Sequence, residues 1–190
     1  MKLTSILFFF LLAFSARAAT ILNFAGPGYI ALNRVWSVTS ETGYTDIGFR
    51  NTMQSFQDPH TSVEFYADSS QHNWRLMLIG GSTNTLLQVG LYQNATRIGN
   101  ASPRLDFFGD GRGLGDSIGQ FEILELVWGP DNKPSALAVD FQLTSSPNAE
   151  LGSVRGSLRF NSNIPVGQVP EPSSALLMLG ATLGITRRRR

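Results

Sequence analysis

Three carboxylates in a glycine-rich stretch form the densest group of residues that could bind a metal ion. Asp106, Asp110 and Asp116 lie within eleven residues that also contain four glycines. Carboxylate and backbone carbonyl oxygens are the ligands that calcium takes, although this spacing differs from that of the helix-loop-helix calcium site. Alternatively, the segment is a structural turn, with Asp110-Gly111 at positive φ and Arg112 paired with a carboxylate. We favour the turn and expect no metal and no cofactor, with calcium as the alternative.

Residues for nucleophilic or acid–base catalysis are few. The two histidines, His60 and His72, both lie in turn-forming sequence, and no Gly-x-Ser-x-Gly elbow is present. Glycoside hydrolysis needs two carboxylates that face one cleft about 5 to 10 Å apart. Glu122 and Glu125 are three positions apart, so on a regular strand they would point to opposite faces, and Asp140 is expected at the surface. We predict no catalytic residues and a protein that is not an enzyme, with a hydrolase of unrecognised site as an alternative.

Seven tryptophan and tyrosine side chains could instead bind carbohydrate, because aromatic faces stack on sugar rings. Packing in the core or on the sheet surface is the commoner use of such residues. A carbohydrate-binding module is therefore an alternative function. The residues are Trp36, Trp74, Trp128, Tyr29, Tyr44, Tyr66 and Tyr92.

Ten short apolar runs, separated by turn-forming residues, must position these side chains. None has a sustained helical period, and their lengths and spacing are typical of β-strands in a sandwich or jelly roll. We predict one all-β domain over residues 19–162, an antiparallel β-sandwich or jelly-roll-like fold. The predicted strands are Ile21–Phe24, Arg34–Thr39, Asp46–Arg50, Ser62–Ala67, Trp74–Ile79, Leu86–Tyr92, Leu105–Phe108, Phe121–Trp128, Ala136–Leu143 and Val154–Phe160.

Patterns near the C-terminal end of the domain indicate which side chains face the core. Residues 129–134 predict a hairpin loop, because proline and Asp-Asn favour turn dihedrals. The run Phe121–Trp128 does not alternate, which indicates a strand covered on much of both faces. In the strand that ends at Phe160, alternation places Arg155 and Arg159 outward.

The first residues of the chain have the pattern of a secretory signal peptide. A lysine precedes the apolar run Ile6–Phe14, and Ala16 and Ala18 supply the small residues that signal peptidase recognises. We predict cleavage before Ala19, so that residues 1–18 are removed by signal peptidase.

The last residues combine a proline-rich motif, an apolar run and a basic cluster. As a helix the run would be roughly 21 Å long, shorter than the hydrocarbon core of about 30 Å. Arginines can extend its reach by snorkelling, and retained positive charge places the preceding domain outside the cytoplasm. Residues 163–168 are predicted to link the domain to this tail. The three parts are Val169, Pro170, Glu171 and Pro172, then Ser173–Thr186, then Arg187, Arg188, Arg189 and Arg190.

This order of parts resembles the PEP-CTERM sorting signal of Gram-negative bacteria, over residues 169–190. The resemblance implies export, recognition by exosortase, transient association of a short hydrophobic helix with the inner membrane, and then a place at the cell surface or in the extracellular matrix. PEP-CTERM systems accompany exopolysaccharide and biofilm production. The resemblance therefore implies a structural or adhesive role, with extracellular polysaccharide as the expected partner.

The net charge of the whole chain differs from that of the predicted exported domain, because the terminal segments are rich in basic residues. The chain has 15 basic and 14 acidic side chains, but six of the bases and one of the acids lie in those segments. Residues 19–170 therefore hold nine bases and thirteen acids, a net charge of about −4. This balance excludes a basic nucleic-acid footprint, so no nucleic-acid partner is expected. The chain has no cysteine, so its stability must come from packing and hydrogen bonds.

Five stretches of the central domain resemble those of a family of uncharacterised bacterial secreted domains: Leu91–Arg97, Leu105–Gly113, the pattern Phe121-x-x-x-Glu125, Ala138–Phe141 and Gly156–Ser162. Relatives carry two cysteines where this chain has Leu114-Gly115-Asp116 and Gln142-Leu143-Thr144. The resemblance covers about half of the domain, supports the predicted strand order and implies no activity.

Overall fold

The computed structural model describes residues 20–50, 59–81, 85–97, 103–146 and 151–166, and the fold is all-β as predicted. Two single-turn 3-10 helices, Ser40–Thr42 and Pro59–Thr61, accompany the strands. The strands are β1 (Ile21–Ala25), β2 (Val35–Val38), β3 (Asp46–Arg50), β4 (Ser62–Asp68), β5 (Asn73–Ile79), β6 (Gly90–Thr96), β7 (Arg104–Gly109), β8 (Arg112–Gly113), β9 (Ser117–Trp128), β10 (Pro134–Ser145) and β11 (Ser153–Phe160).

One curled sheet supplies both layers of the fold. Its order is β2-β1-β11-β10-β9-β6-β7-β5-β4-β3, with β8 beside β7. Neighbouring strands are antiparallel except β6 and β7, which are parallel and joined through the single pair Thr96 and Arg104. This corner separates a first layer, β2 to β6 in sheet order, from a second layer, β7 to β3. The predicted antiparallel sandwich is thus built from one continuous sheet.

Aromatic rings fill the space between the two layers. The Phe24 ring of the first layer lies 4.5 Å from the Trp74 ring and 4.9 Å from the Phe107 ring of the second. At the far end of the sandwich, the Phe49 and Phe160 rings lie 4.7 Å apart in an edge-to-face arrangement. Edge-to-face and tilted pairs at these distances are the favoured aromatic geometries, and each ring removes a large apolar area from water.

The side chains of β10 alternate between buried and exposed, which defines the two faces of the first layer. Leu137, Val139, Phe141 and Leu143 are buried against the rings, whereas Gln142 and Thr144 are exposed on the opposite side. We call the side that carries Gln142 the outer face. Because side chains alternate along a strand, Asp140 and Arg159 also lie on the outer face.

A β-bulge explains why Phe121–Trp128 does not alternate. Val139 pairs with Ile123 and Ala138 pairs with Glu125, so Leu124 is an extra residue in β9. A bulge moves every later side chain to the other face of its strand. The prediction that Glu122 and Glu125 point to opposite faces was therefore wrong, because the bulge places both on the outer face.

The predicted strand Leu86–Tyr92 begins later than expected. The strand is β6, Gly90–Thr96, and Gly90 has a φ of 145° where the chain enters it. A second bulge lies between Tyr92 and Ala95, where Asn94 has a φ of 54°. The apolar residues 86–89 precede the strand as a loop, so their hydrophobicity gave a false strand signal.

The glycine-rich stretch forms the hairpin turn that we favoured over a metal loop. Asp110 and Gly111, with φ of 51° and 71°, join β7 to β8. Just before the turn, Gly109 lies so close to β5 that an added Cβ would be 2.1 Å from the Asn73 carbonyl oxygen and 2.4 Å from the Trp74 ring. This position has no room for any side chain.

We expect Gly109→Ala to destabilise the domain by about 1–3 kcal/mol or more, because the methyl group forces β7 away from β5. Gly113→Ala is the matched control. Its Cβ would meet only Phe108 Cβ, at 3.6 Å, and should change the free energy of unfolding by less than about 0.5 kcal/mol. Urea unfolding of both variants measures the difference, and equal stabilities would contradict the close β5–β7 approach.

Candidate functional site

The predicted sorting residues lie outside the described part of the chain. This applies to Ala16, Ala18 and Ala19, to Val169, Pro170, Glu171 and Pro172, and to Arg187, Arg188, Arg189 and Arg190. Among the described residues, no helix is long and apolar enough to span a membrane.

Asp110 binds three groups at the β7–β8 turn. Its carboxylate accepts hydrogen bonds from the Asn73 backbone N–H at 2.9 Å and from Arg112 Nη2 at 2.8 Å. His72 Nδ1 lies 2.7 Å from Asp110 Oδ2, the same oxygen that accepts from Arg112. An ionised carboxylate only accepts, so Nδ1 carries the proton in this pair. Asp110 thus ties the β4–β5 turn to the β7–β8 turn.

The other two calcium candidates have different surroundings. Asp106 pairs with Arg97, whose Nε is 3.1 Å away. The Asp116 backbone carbonyl accepts a hydrogen bond from the Ser146 N–H at 2.7 Å. In the described ranges, no group of three or more histidines, cysteines or acidic residues is arranged to hold a metal ion.

Two acidic side chains have pKa values shifted upward by burial. Burial raises the pKa of the Asp106 carboxyl above its usual value, and the Arg97 guanidinium only partly opposes this. Burial likewise raises the pKa of Glu64 on β4, against the opposing effect of Arg75. Both carboxyls therefore bind a proton more readily in the folded domain than in the unfolded chain.

The two histidines contact aromatic rings. The His72 ring lies edge-to-face on Trp36, with centroids 5.2 Å apart. The Ser69 hydroxyl nearby is bound to the backbone of Gln71 and His72. The His60 ring lies 4.4 Å from that of Trp128. His72 and Asp110 resemble the base and orienting acid of a hydrolase, but the neighbouring serine serves the turn.

Three carboxylates come together on the outer face because of the Leu124 bulge. Glu122 is paired across the strands with Asp140. Glu125 is paired with Ala138, two residues before Asp140 on β10, and so lies on the same face. Glu125 accepts a hydrogen bond from the Ser162 hydroxyl, and Asp140 lies 2.8 Å from Arg159 Nη2. The sequence prediction that Glu122 and Glu125 face apart was wrong, but two of these three acids bind groups of the domain itself.

Most of the aromatic residues weighed for sugar stacking pack in or against the core. Trp74 is fully buried, and its indole N–H donates to the Tyr44 hydroxyl at 3.0 Å. Trp36 is half-buried and stacks on Phe24. Tyr29 is exposed at 47%.

A shallow polar groove on the outer face, which the sequence analysis did not identify, crosses β6, β9 and β10. Its volume is about 410 Å³. Amide side chains supply most of its polar atoms, and the lining residues are uncharged. They are Gln93, Asn94, Ile118, Gly119, Gln120, Gln142 and Thr144.

The strand register explains this clustering of amides. Gln120 and Gln142 are directly paired across β9 and β10, as are Ile118 and Thr144. The β6 bulge adds Asn94 to the same row. Alternation could have placed Gln120 and Gln142 on one face, but the bulge that brings in β6 had no sequence signal.

A second groove of about 360 Å³ is mainly apolar. It lies where the loop before β6 meets the end of β9. Its walls include the His60–Trp128 pair and Val89, which is 62% exposed.

We expect the buried acid Asp106 to make the domain less stable at neutral pH than at mildly acidic pH. Its folded pKa lies above the unfolded value of about 3.9, so its contribution is fully present below that value and is lost as pH rises through the folded pKa. Asp106→Asn should flatten this dependence and cost less than about 1 kcal/mol at pH 7.

Urea unfolding at pH 4.5, 6 and 7 measures the effect. Asp131→Asn is the control, because Asp131 is 61% exposed in a loop and should leave the pH dependence unchanged. Identical pH profiles for the native protein and Asp106→Asn would contradict the assigned role of burial.

Comparison with known proteins identifies the C-terminal segment. A family model described as the PEP-CTERM protein-sorting motif matches residues 168–190. No curated protein and no solved structure matches the chain. The match confirms the resemblance seen in the proline-rich motif, apolar run and arginine cluster. The chain therefore carries a PEP-CTERM sorting motif, which implies export to the cell envelope and processing by exosortase.

Proposed function

We propose that the β domain is a non-enzymatic structural or adhesive component of the cell envelope or exopolysaccharide matrix. The observation that carries this proposal is the uncharged amide groove on the outer face. Amides offer one donor and one acceptor group side by side, which suits the hydroxyl groups of a neutral polysaccharide. The groove is open, so a polymer chain could lie across three strands without threading into a cavity.

The surroundings of the reactive side chains support a role without catalysis. Asp110 joins two turns through His72 and Arg112, and Glu125 and Asp140 bind residues that follow or belong to β11. A general acid or base needs a free path to a substrate proton. These groups are instead used within the domain, so we propose neither an active site nor a resident metal.

The export part of the proposal is tested by the termini of the protein recovered outside the cells. We expect an N-terminus at Ala19 and loss of Arg187 to Arg190, because signal peptidase and exosortase act at the two ends. Intact-mass spectrometry with terminal peptide sequencing measures both. Retention of the four arginines would refute processing, and retention of residues 1–18 would refute the signal peptide.

The second candidate function is a carbohydrate-binding module that recognises a defined oligosaccharide in the same groove. It differs from the adhesive role in its ligand, since a module of this kind would bind short soluble oligosaccharides as well as the polymer. The cross-strand pair Gln120 and Gln142 favours it, because paired amides give fixed hydrogen-bond geometry.

We expect Gln120→Ala with Gln142→Ala to reduce binding to neutral exopolysaccharide at least tenfold, because both amides leave the groove. Co-sedimentation with the polymer measures this, and calorimetry with short oligosaccharides separates the two candidates. Gln71→Ala, an exposed amide in the β4–β5 turn, is the control and should bind as the native protein does. Equal binding by the double variant, or no binding to any neutral glycan, would refute the groove as the adhesive surface.

A further inference from the structure

Arg159 is almost completely buried although it lies on the outer face of β11. Strand alternation predicted that the Arg159 side chain points away from the core, and it does. Nevertheless, only 2% of the residue is exposed to solvent. Its Nη1 donates to the carbonyl oxygens of Val139 and Leu158, both at 3.0 Å. Its Nη2 lies 2.8 Å from the Asp140 carboxylate. These contacts fix the guanidinium on the sheet.

The cover over Arg159 is the chain that follows β11. Arg159 Nε donates to the carbonyl oxygens of Ile164, at 3.1 Å, and Pro165, at 3.3 Å. Nη2 also donates to the Pro165 carbonyl at 3.1 Å. Residues 161–166, which we call the C-terminal strap, thus return across the outer face.

Two further contacts join the strap to the strands, and one hydrogen bond lies within it. The Asn161 side chain donates to the Ser135 carbonyl at 3.1 Å. The Ser162 hydroxyl donates to Glu125 and accepts a hydrogen bond from the Ile164 N–H at 3.2 Å. The strap is therefore bound to β9, to the start of β10 and to Arg159, at separate points along its length.

The strap and Arg159 depend on each other. A buried guanidinium is costly unless its donors are satisfied and its charge is paired. The Val139 and Leu158 carbonyls accept from Nη1, the strap carbonyls accept from Nε and Nη2, and the Asp140 carboxylate supplies the opposite charge. Conversely, an extended segment of six residues loses backbone entropy on docking and needs strong partners to stay in place. Charge-assisted hydrogen bonds from one arginine supply them.

We infer that the strap is an integral part of the β domain, held by Arg159, and that it fixes the point from which the sorting motif leaves the domain. Pro165 is docked and the motif begins at residue 168. Three residues span at most about 10 Å, so exosortase meets its motif close to the folded surface. The exported product keeps the strap as a docked C-terminal segment that proteases cannot readily bind.

Hydrogen exchange and limited proteolysis test this inference on the full chain and on the exported product. In the native protein, the Ile164 amide, which donates to the Ser162 hydroxyl, should exchange at least tenfold more slowly than in the denatured chain, and proteolysis should leave a domain that ends at or after Val166. In Arg159→Lys, the single ammonium group cannot reach both strap carbonyls. The strap should then exchange at near-denatured rates, and proteolysis should trim the chain to about Phe160.

Arg155→Lys is the matched control, since Arg155 lies on the same strand and face but is exposed. It should leave strap exchange unchanged. If Arg159→Lys does not fold, Ser162→Ala removes the contact with Glu125 without disturbing Arg159 and should speed proteolytic trimming of the strap at least threefold; proteolysis is the measurement for this variant, because Ser162 is also the acceptor for the Ile164 amide. Native-like strap protection in both variants, or an unprotected strap in the native protein, would overturn the inference. Because the measurement needs no processing, it stays decisive even if the tail is retained.

Discussion

Ring packing between the layers must hold this domain together, because an exported chain without cysteine has no covalent cross-link to rely on. The two layers share a single backbone pair, Thr96 with Arg104, at one corner. Away from that corner, Phe24 against Trp74 and Phe107, and Phe49 against Phe160, supply the contact between layers. Gly109 belongs to the same constraint, since its lack of a side chain lets β7 approach the Trp74 ring.

Because aromatic rings fill the inner face, the polar side chains that could bind a ligand or an ion lie at the turns and on the outer face. At the turns, Asp110 joins two loops through its contacts with Asn73, His72 and Arg112. On the outer face, Arg159 gathers the chain that follows β11. The uncharged row at Gln120 and Gln142 lies on this same face, beyond the region that the strap covers. The proposed binding groove and the docked strap thus lie on the same side of the first layer.

Much of the fold could be predicted from the sequence because strand length, alternation and turn residues are local properties. Nine of the ten predicted strands overlap observed ones closely, and the Asp110-Gly111 turn is where it was expected. The tenth, Leu86–Tyr92, was displaced because apolar loop residues imitate a strand. Bulges were not predictable, since Leu124 differs in no chemical respect from a regular strand residue. That one extra residue reversed the predicted relation of Glu122 and Glu125.

The site was less predictable than the fold because it depends on contacts between distant segments. Arg159 on an alternating strand has the pattern of an exposed residue, and only the returning strap buries it. The groove likewise needs β6, which joins β9 through a bulged register. In contrast, the sorting motif is recognised as a linear sequence, so its identification required no structure.

The pairing of β1 with β11 has a consequence for the timing of export. β1 can pair with β2 as soon as both have emerged, but its other neighbour is β11, the last strand, where Ile21 pairs with Arg159. In a chain that crosses a membrane with its N-terminal end first, the first layer cannot close until almost the whole domain has emerged. Such distant pairing slows folding. The hairpins of the second layer, β3–β4 and β4–β5, need no such distant partner, so the first layer is the part of the domain that is completed last, when β11 joins β1 a few residues before the sorting motif.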